Sequence, residues 1–194
     1  MDRLEKLRQK VTELYSEDQP DRAEMADWLF EGHVLVVADY AKQLAERYGA
    51  NSELAQAGAL LHDIADYTMP RKAADFDEES LRIARQLMVE CGYSPDEIAL
   101  TVDDAIRYHS CHGEERPKSV EGRVLATADS LAHLKTDFYV YIVWMFAKRG
   151  ESLEDIKAWT LQKIERDLNA KIAFDEVRES ARKDYEMVKE LFTR

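Results

Sequence analysis

The chain has 194 residues, with 27 Lys and Arg against 39 Asp and Glu, a formal charge of −12 at pH 7. One domain of this length buries roughly 70% of its unfolded surface without disulfides, and two unpatterned cysteines, Cys91 and Cys111, point to a reducing, cytoplasmic compartment. The acidity speaks against a long nucleic-acid partner, residues 1–10 are too charged for a secretory signal, and the longest apolar run (138–147) is half a membrane span.

Gly and Pro are scarce and no alternating apolar run is bounded by turns, so an all-α, compact helical bundle is the expected fold. Residues 1–16 predict a first helix. Asp21-Arg22-Ala23-Glu24 has the pattern of a capping box, opening a helix with Ala26, Phe30, His33, Val37, Ala41, Leu44 and Tyr48 on one stripe. Gly49 ends it. Ser52 is the expected cap of the next helix, which carries Leu54, Ala57, Gly58, Leu61, His62 and Ala65 inward until Pro70.

A helix over 77–90 follows. Ser94-Pro95-Asp96-Glu97 marks the sharpest boundary: a capping Ser, Pro at the first helical position and Glu reaching back. The stripe after it runs Ile98, Val102, His109, and the polar segment 110–118 predicts a loop. Residues 120–134 predict another helix. The run 138–148 is apolar nearly all round and is expected at the centre. Ser152 starts a further helix, and 174–192 is amphipathic and charged. No repeat or linker divides the chain. One domain over 1–194 is expected, with a metal-binding core at about 25–134 and C-terminal helices over 138–194.

The chemistry concentrates in a few polar residues on apolar stripes. His62 and Asp63 lie within Ala59-Leu60-Leu61-His62-Asp63-Ile64-Ala65-Asp66, and His33, His109 and Asp129 fall on other apolar segments. A buried carboxylate needs a cation, and a buried imidazole needs a hydrogen bond or a metal. Taken singly, each has a structural explanation: a hydrogen-bonded core histidine, a buried ion pair, a cap. Taken together, one divalent ion between helices satisfies them all.

The order His33, His62-Asp63, Asp129 resembles the HD-domain superfamily of metal-dependent phosphohydrolases. Leu60-Leu61-His62-Asp63-Ile64-Ala65 looks like that family's signature helix, and Arg123-Val124-Leu125-Ala126-Thr127-Ala128-Asp129-Ser130-Leu131 looks like its closing Asp helix. The resemblance spans about 25–134, and residues 171–192 are similar to the tail of small uncharacterised members. It implies that His33, His62, Asp63 and Asp129 bind a divalent ion. Mixed nitrogen and oxygen donors suit Mn, Fe, Co, Ni or Zn, and Mg less well. Such an ion lowers the pKa of water and polarises a phosphoryl oxygen.

Asp66 is read as a general acid or base, as a carboxylate orienting His62, or as a surface acid near the helix end. His109 is expected to reach the pocket, as a catalytic group, a second-metal ligand or a phosphate contact. His112 in the following loop has the same choice of second metal or phosphate. Arg71 and Lys72 are candidates to hold substrate phosphate, with solvated surface charge as the plain alternative. Arg123 and Lys135 stand farther from Asp129, and His133 has no specific claim.

The resemblance thus implies hydrolysis of a small phosphate ester, a nucleotide foremost, while charge and hydropathy lead to the expectation of no long nucleic acid or membrane as partner. Two alternatives stay open. A di-iron oxygenase of the same fold would need both His109 and His112 as ligands, and a nucleotide-sensing module would have lost catalysis. The apolar run at 138–146 and the tail helix would pack internally or form a homodimer seam.

Overall fold

The computed structural model describes residues 1–194 and is all-helical. The order is α1 (Arg3–Ser16), α2 (Ala26–Leu29), a π turn (Phe30–Val34), α3 (Leu35–Tyr48), α4 (Ser52–Leu61), a 3-10 turn (Ile64–Tyr67), α5 (Phe76–Cys91), α6 (Pro95–Ile98), a π segment (Ala99–Ile106), α7 (Val120–Lys135), α8 (Phe138–Lys148), α9 (Leu153–Arg166), a π turn (Asp167–Lys171) and α10 (Asp175–Thr193). No helix is long and apolar enough to cross a membrane.

The centre is formed by α3, α4, α7 and the segment Ala99–Ile106. Helix α7 is its axis: nearly every residue from Val124 to Leu134 is buried, apolar and polar alike. A helix so enclosed needs small neighbours, and Gly122 meets that need. A Cβ there would come within 2.5 Å of Pro117 and 3.1 Å of the Ala105 backbone. Helices α8 and α10 and the turn Asp167–Lys171 lean on α7, and α9 packs on α8, α10 and that turn. Their aromatic and aliphatic side chains, Phe138, Tyr139, Ile164 and Tyr185 among them, close one continuous apolar core with the N-terminal helices.

Several local expectations match the structure. Ser94 and Glu97 form the reciprocal capping box with Pro95 inside it, and Ser152 caps α9 through the Asp155 N–H. Four differ. Helix α2 starts at Ala26, without a side-chain cap, because Glu24 is drawn away to Arg149 at 2.9 Å and the Ala23 N–H bonds the Asp66 carbonyl instead. Asn51, not Ser52, caps α4, taking the N–H groups of Glu53 and Leu54.

The third difference bears on the site. Helix α4 ends at Leu61, and Asp63 leaves helical geometry (φ −125°, ψ 33°) before the 3-10 turn. His62 and Asp63 therefore sit at a helix end, not inside one, and Asp66 does not continue their helix face. Fourth, α8 is peripheral. Val140 is 72% exposed and Trp144 54%, because the polar layer beneath Phe138 and Tyr139 occupies the centre that an all-apolar helix was expected to fill.

Candidate metal centre

His33 lies in the π turn Phe30–Val34. An added residue per turn swings a side chain off the regular helical stripe, and such turns recur at functional sites. Gly32 makes room for it: a Cβ there would meet the Trp28 ring at 2.9 Å. His62 is delivered by the end of α4, Asp63 by the break after it, His109 by the turn after Ala99–Ile106, and Asp129 by the middle of α7.

The structure brings these residues together. His33 Nε2 is 3.2 Å from His62 Nε2 and 3.2 Å from Asp129 Oδ1. His62 Nε2 is 3.5 Å from Asp63 Oδ2 and 4.0 Å from Asp129 Oδ1, and His109 Nε2 is 3.9 Å from Asp63 Oδ1. Two overlapping groups of donors result, His33–His62–Asp129 and His62–Asp63–His109, each with ligand atoms within 4.8 Å of one another. Donors about 2.1 Å from one ion stand roughly 3 Å apart at right angles and roughly 4 Å apart across it, so the spacing fits a shared cation.

Hydrogen bonding sets the tautomers. His62 Nδ1 is 2.8 Å from the Ala59 carbonyl and His109 Nδ1 is 2.6 Å from the Ile106 carbonyl. A carbonyl only accepts, so both Nδ1 atoms carry the proton and both Nε2 lone pairs face the cluster. Burial holds His33 below its ordinary pKa and pushes His109 down to about 4, so these rings are neutral near pH 7. Asp129 Oδ1 is buried yet receives no aligned hydrogen bond. Lone pairs facing each other beside an orphaned carboxylate oxygen make a donor set that fits a cation.

Burial pushes the Asp63 carboxyl up, but Arg71, His62 and His109 carry it well below the usual carboxylate range. The same is true of Asp129, against His133 and Lys171. Asp66 behaves differently. Burial raises it to about 6, Arg71 opposing and Asp63 adding to the rise.

Arg71 donates to both Asp66 oxygens (2.8 and 2.5 Å) and to Asp63 Oδ2 (2.6 Å). Asp66 is fully buried behind it and does not line the cleft above the cluster. An acid–base role for Asp66 is therefore not what the geometry offers; it holds Arg71, and Arg71 holds Asp63. Lys72 lies on the cleft rim, largely exposed and 3.4 Å from Glu151. His112 is on the cleft wall but in neither donor group. Arg123 is turned to Ser119 and Lys135 to Asp184, away from the site.

Sequence reasoning passed over what lies behind Asp129. His133 Nε2 is 3.1 Å from Asp129 Oδ1, and its Nδ1 is 3.2 Å from Asp167 Oδ2 and 3.1 Å from Lys163 Nζ. Lys171 pairs with Asp129 Oδ2, and Tyr139 donates to Asp167 Oδ2 at 2.5 Å. A signal existed: His133 follows Asp129 by one helical turn, and Lys163, Asp167 and Lys171 repeat at one-turn spacing. Charges in a solvated helix read the same way, so only the packing of the turn Asp167–Lys171 onto α7 distinguishes them.

A model of the family described as "HD domain" matches residues 30–134, more than half of the chain. The chain belongs to the HD-domain family. Among curated relatives, it is 31% identical over 134 residues to ribonuclease Y of Sulfurovum sp. and 30% identical over 127 residues to ribonuclease Y of Rubrobacter xylanophilus. Those alignments cover 69% and 64% of this HD-domain protein but only 24% and 22% of the relatives. The chain thus spans about a quarter of their length.

Among solved structures, Bacillus subtilis YpgQ in complex with ADP superposes with a TM-score of 0.70 at 24% identity, over 97% of this chain and 91% of that one. A predicted HD superfamily hydrolase from an uncultured Thermotogales bacterium gives 0.61 at 21% identity, over 100% and 91%. Both likenesses establish the HD fold for the full chain, including the helices beyond residue 134.

Proposed function

We propose that this HD-domain protein is a metal-dependent phosphohydrolase acting on a small phosphate ester, a nucleotide foremost. The observation that carries the reading is the pairing of two features. Neutral imidazoles and carboxylates converge on an orphaned oxygen, and they do so in a cleft whose walls reverse the charge of the chain. The cleft has a volume of about 840 Å³ and is lined by seven Lys or Arg against four Asp or Glu, in a protein of net charge −12. Lines of one charge in a low-dielectric cleft concentrate an oppositely charged ligand.

His33, His62, Asp63 and Asp129 would hold the divalent ion, with His109 beside Asp63 as a further donor. When bound there, the ion supplies Lewis acidity that generates a nucleophile from water and neutralises charge on a phosphoryl group. The mixed imidazole and carboxylate set favours Mn, Fe, Co, Ni or Zn over Mg. The remaining work falls to the chain. Arg71 fixes Asp63, while the Ala59 and Ile106 carbonyls fix the imidazole tautomers. His109, neutral near pH 7, presents a lone pair: it fits a ligand or proton acceptor and not a proton donor to a leaving group. Trp159, Phe146, Met145 and Phe138 give the cleft an apolar wall on which a nucleobase can stack.

The ADP bound by YpgQ supports the nucleotide reading. The name ribonuclease Y favours a second one, cleavage of a phosphodiester in RNA, which the net charge of this chain opposes. A two-iron oxygenase gains less support, because His112 stands outside both donor groups. The test is metal analysis of the purified protein, then turnover of nucleoside mono-, di- and triphosphates and a short oligoribonucleotide with and without Mn, beside Asp63→Ala. Mn-dependent release of phosphate or pyrophosphate from a nucleotide by the wild type only is expected. Full turnover by Asp63→Ala, or turnover of the oligoribonucleotide alone, would overturn the proposal.

A further inference from the structure

A second cavity of about 770 Å³ lies against the cleft, between the loop after His109, α9, the turn Asp167–Lys171 and the end of α10. His112, Gln162 and Arg166 line both spaces and form the wall they share. Three cations face the second cavity: Arg116, Arg166 and Lys189. None has a carboxylate within 4.0 Å, although most arginines of this chain are so paired. The one acid on the lining, Glu165, accepts from Tyr185.

Arg166 is the least satisfied of them. Arg116 donates to two backbone carbonyls and Lys189 to the Tyr185 hydroxyl. Arg166 is without a hydrogen bond to any protein group, and its Nε is buried. Nor can the neighbouring acids reach out to it. Asp167 is taken by Lys163, Tyr139 and His133, and Asp129 by Lys171. The charges of that layer cancel, which leaves the guanidinium of Arg166 as uncompensated positive charge. His112 feels it: burial first, then Arg166, Lys171 and Lys163, hold that imidazole below its ordinary pKa. A buried N–H without an acceptor costs stability and calls for an explanation outside the chain. Guanidinium forks match phosphate oxygens.

We infer that Arg166, with Lys189 and Arg116 beyond it, forms a subsite for the phosphates of a nucleotide that are not at the metal centre, so that the substrate is a nucleoside di- or triphosphate and not a monophosphate. The inference rests on the reading of the cleft as a substrate site and adds its specificity. Arg166 touches the substrate without touching the reacting phosphorus. The carboxylates of Asp63 and Asp129 attract a metal, whereas this wall attracts only anions, so the two ends of the cleft select for a ligand with a phosphate at each.

The test separates this inference from hydrolysis. Binding of AMP, ADP and ATP to the full chain is measured by Trp fluorescence or calorimetry in excess chelator, for the wild type, Arg166→Gln, Arg166→Lys and Lys189→Gln. Wild-type affinity is expected to climb with phosphate number. Arg166→Gln should weaken ATP by about tenfold to a hundredfold, the loss expected for a charge-assisted hydrogen bond, and leave AMP within about twofold. Arg166→Lys should recover part of the loss, and Lys189→Gln should act in the same direction with a smaller effect.

A merely structural role predicts a fall in melting temperature for Arg166→Gln; removal of an unpaired cation should leave it unchanged or higher. Equal binding of the three nucleotides by the wild type, or unaltered ATP binding by a folded Arg166→Gln, would overturn the inference. So would tighter, Arg166-dependent binding of an oligoribonucleotide. Arg166-dependent ATP binding without turnover in Mn would instead sink the hydrolase reading and keep the subsite. Turnover of ATP with an unchanged KM in Arg166→Gln would do the reverse.

Discussion

Two buried polar clusters meet at Asp129, and they solve the same problem differently. On one side stand His33, His62, Asp63 and His109, three imidazoles and a carboxylate gathered about an oxygen that accepts no aligned hydrogen bond. On the other stand His133, Lys163, Asp167, Lys171 and Tyr139, where each carboxylate finds an ammonium or a hydroxyl. The second is buried throughout, whereas in the first Asp63 and His109 are half-buried at the cleft. The second carries its cations in the sequence, as lysines with long stems packed between helices. The first has only Arg71, and that guanidinium is already committed to Asp63 and Asp66. A buried carboxylate oxygen left without a donor is costly, and Asp129 Oδ1 is such an oxygen, so the first cluster is built for a cation from outside and the second is built to hold the shape.

The comparison can be broken at its shared residue first. Asp129→Ala should abolish bound metal and also strand Lys171, costing about 3–5 kcal/mol even in chelator, as expected when one partner of a buried pair is removed. Urea denaturation with and without EDTA, beside elemental analysis, reads both effects. An Asp129→Ala protein with wild-type stability in EDTA would show that the lysine cluster holds nothing together.

Asp167→Ala should act next, at about 3 kcal/mol, and by the same amount in EDTA as in Mn, because it belongs to the self-neutralised side. A loss seen only in Mn would merge the two clusters into one.

Third, chelation of wild-type protein should lower the unfolding free energy by RT ln(1 + [L]/Kd), about 2.7 kcal/mol at a metal concentration a hundred times Kd. Asp63→Ala should show no such shift, since its metal site is incomplete, and should differ little from wild type in chelator. A full metal-dependent shift in that variant would remove Asp63 from the donor set.

The smallest effect marks the scale's lower end. Arg3 bridges Glu53 and Glu97 at the opposite end of the molecule, at 2.6 Å to each, with side chains a quarter to a third exposed. Arg3→Ala should cost no more than about 1 kcal/mol. Hydrogen bonds from Arg3 and from the Ser94 backbone bring the Glu97 carboxyl from 4.5 down to about 2. A carboxylate depressed in the folded state stabilises above its unfolded pKa and loses that contribution as pH falls through its folded one. Glu97 should therefore protonate near pH 2 by NMR in wild type, and appreciably higher in Arg3→Ala. Identical midpoints in the two proteins would mean that the pair does not persist in solution.

The all-helical fold is legible in one dimension, because apolar periodicity, scarce glycine and explicit caps such as Ser94-Pro95-Asp96-Glu97 are local properties that need no partner. The sequence also singled out His33, His62, Asp63 and Asp129, since polar residues on apolar stripes are costly enough to stand out in one dimension. What it could not decide was who satisfies whom. Asp66 and Arg71 were both visible, yet only the break at Asp63 turns them toward each other and withdraws Asp66 from the cleft. The apolarity of α8 suggested a central helix, but the charged layer carried by α9 took that place. His133, Lys163, Asp167 and Lys171 look like ordinary helix charges until the turn Asp167–Lys171 packs on α7. Burial and partnership are long-range facts, and an ionisable group takes its role from them.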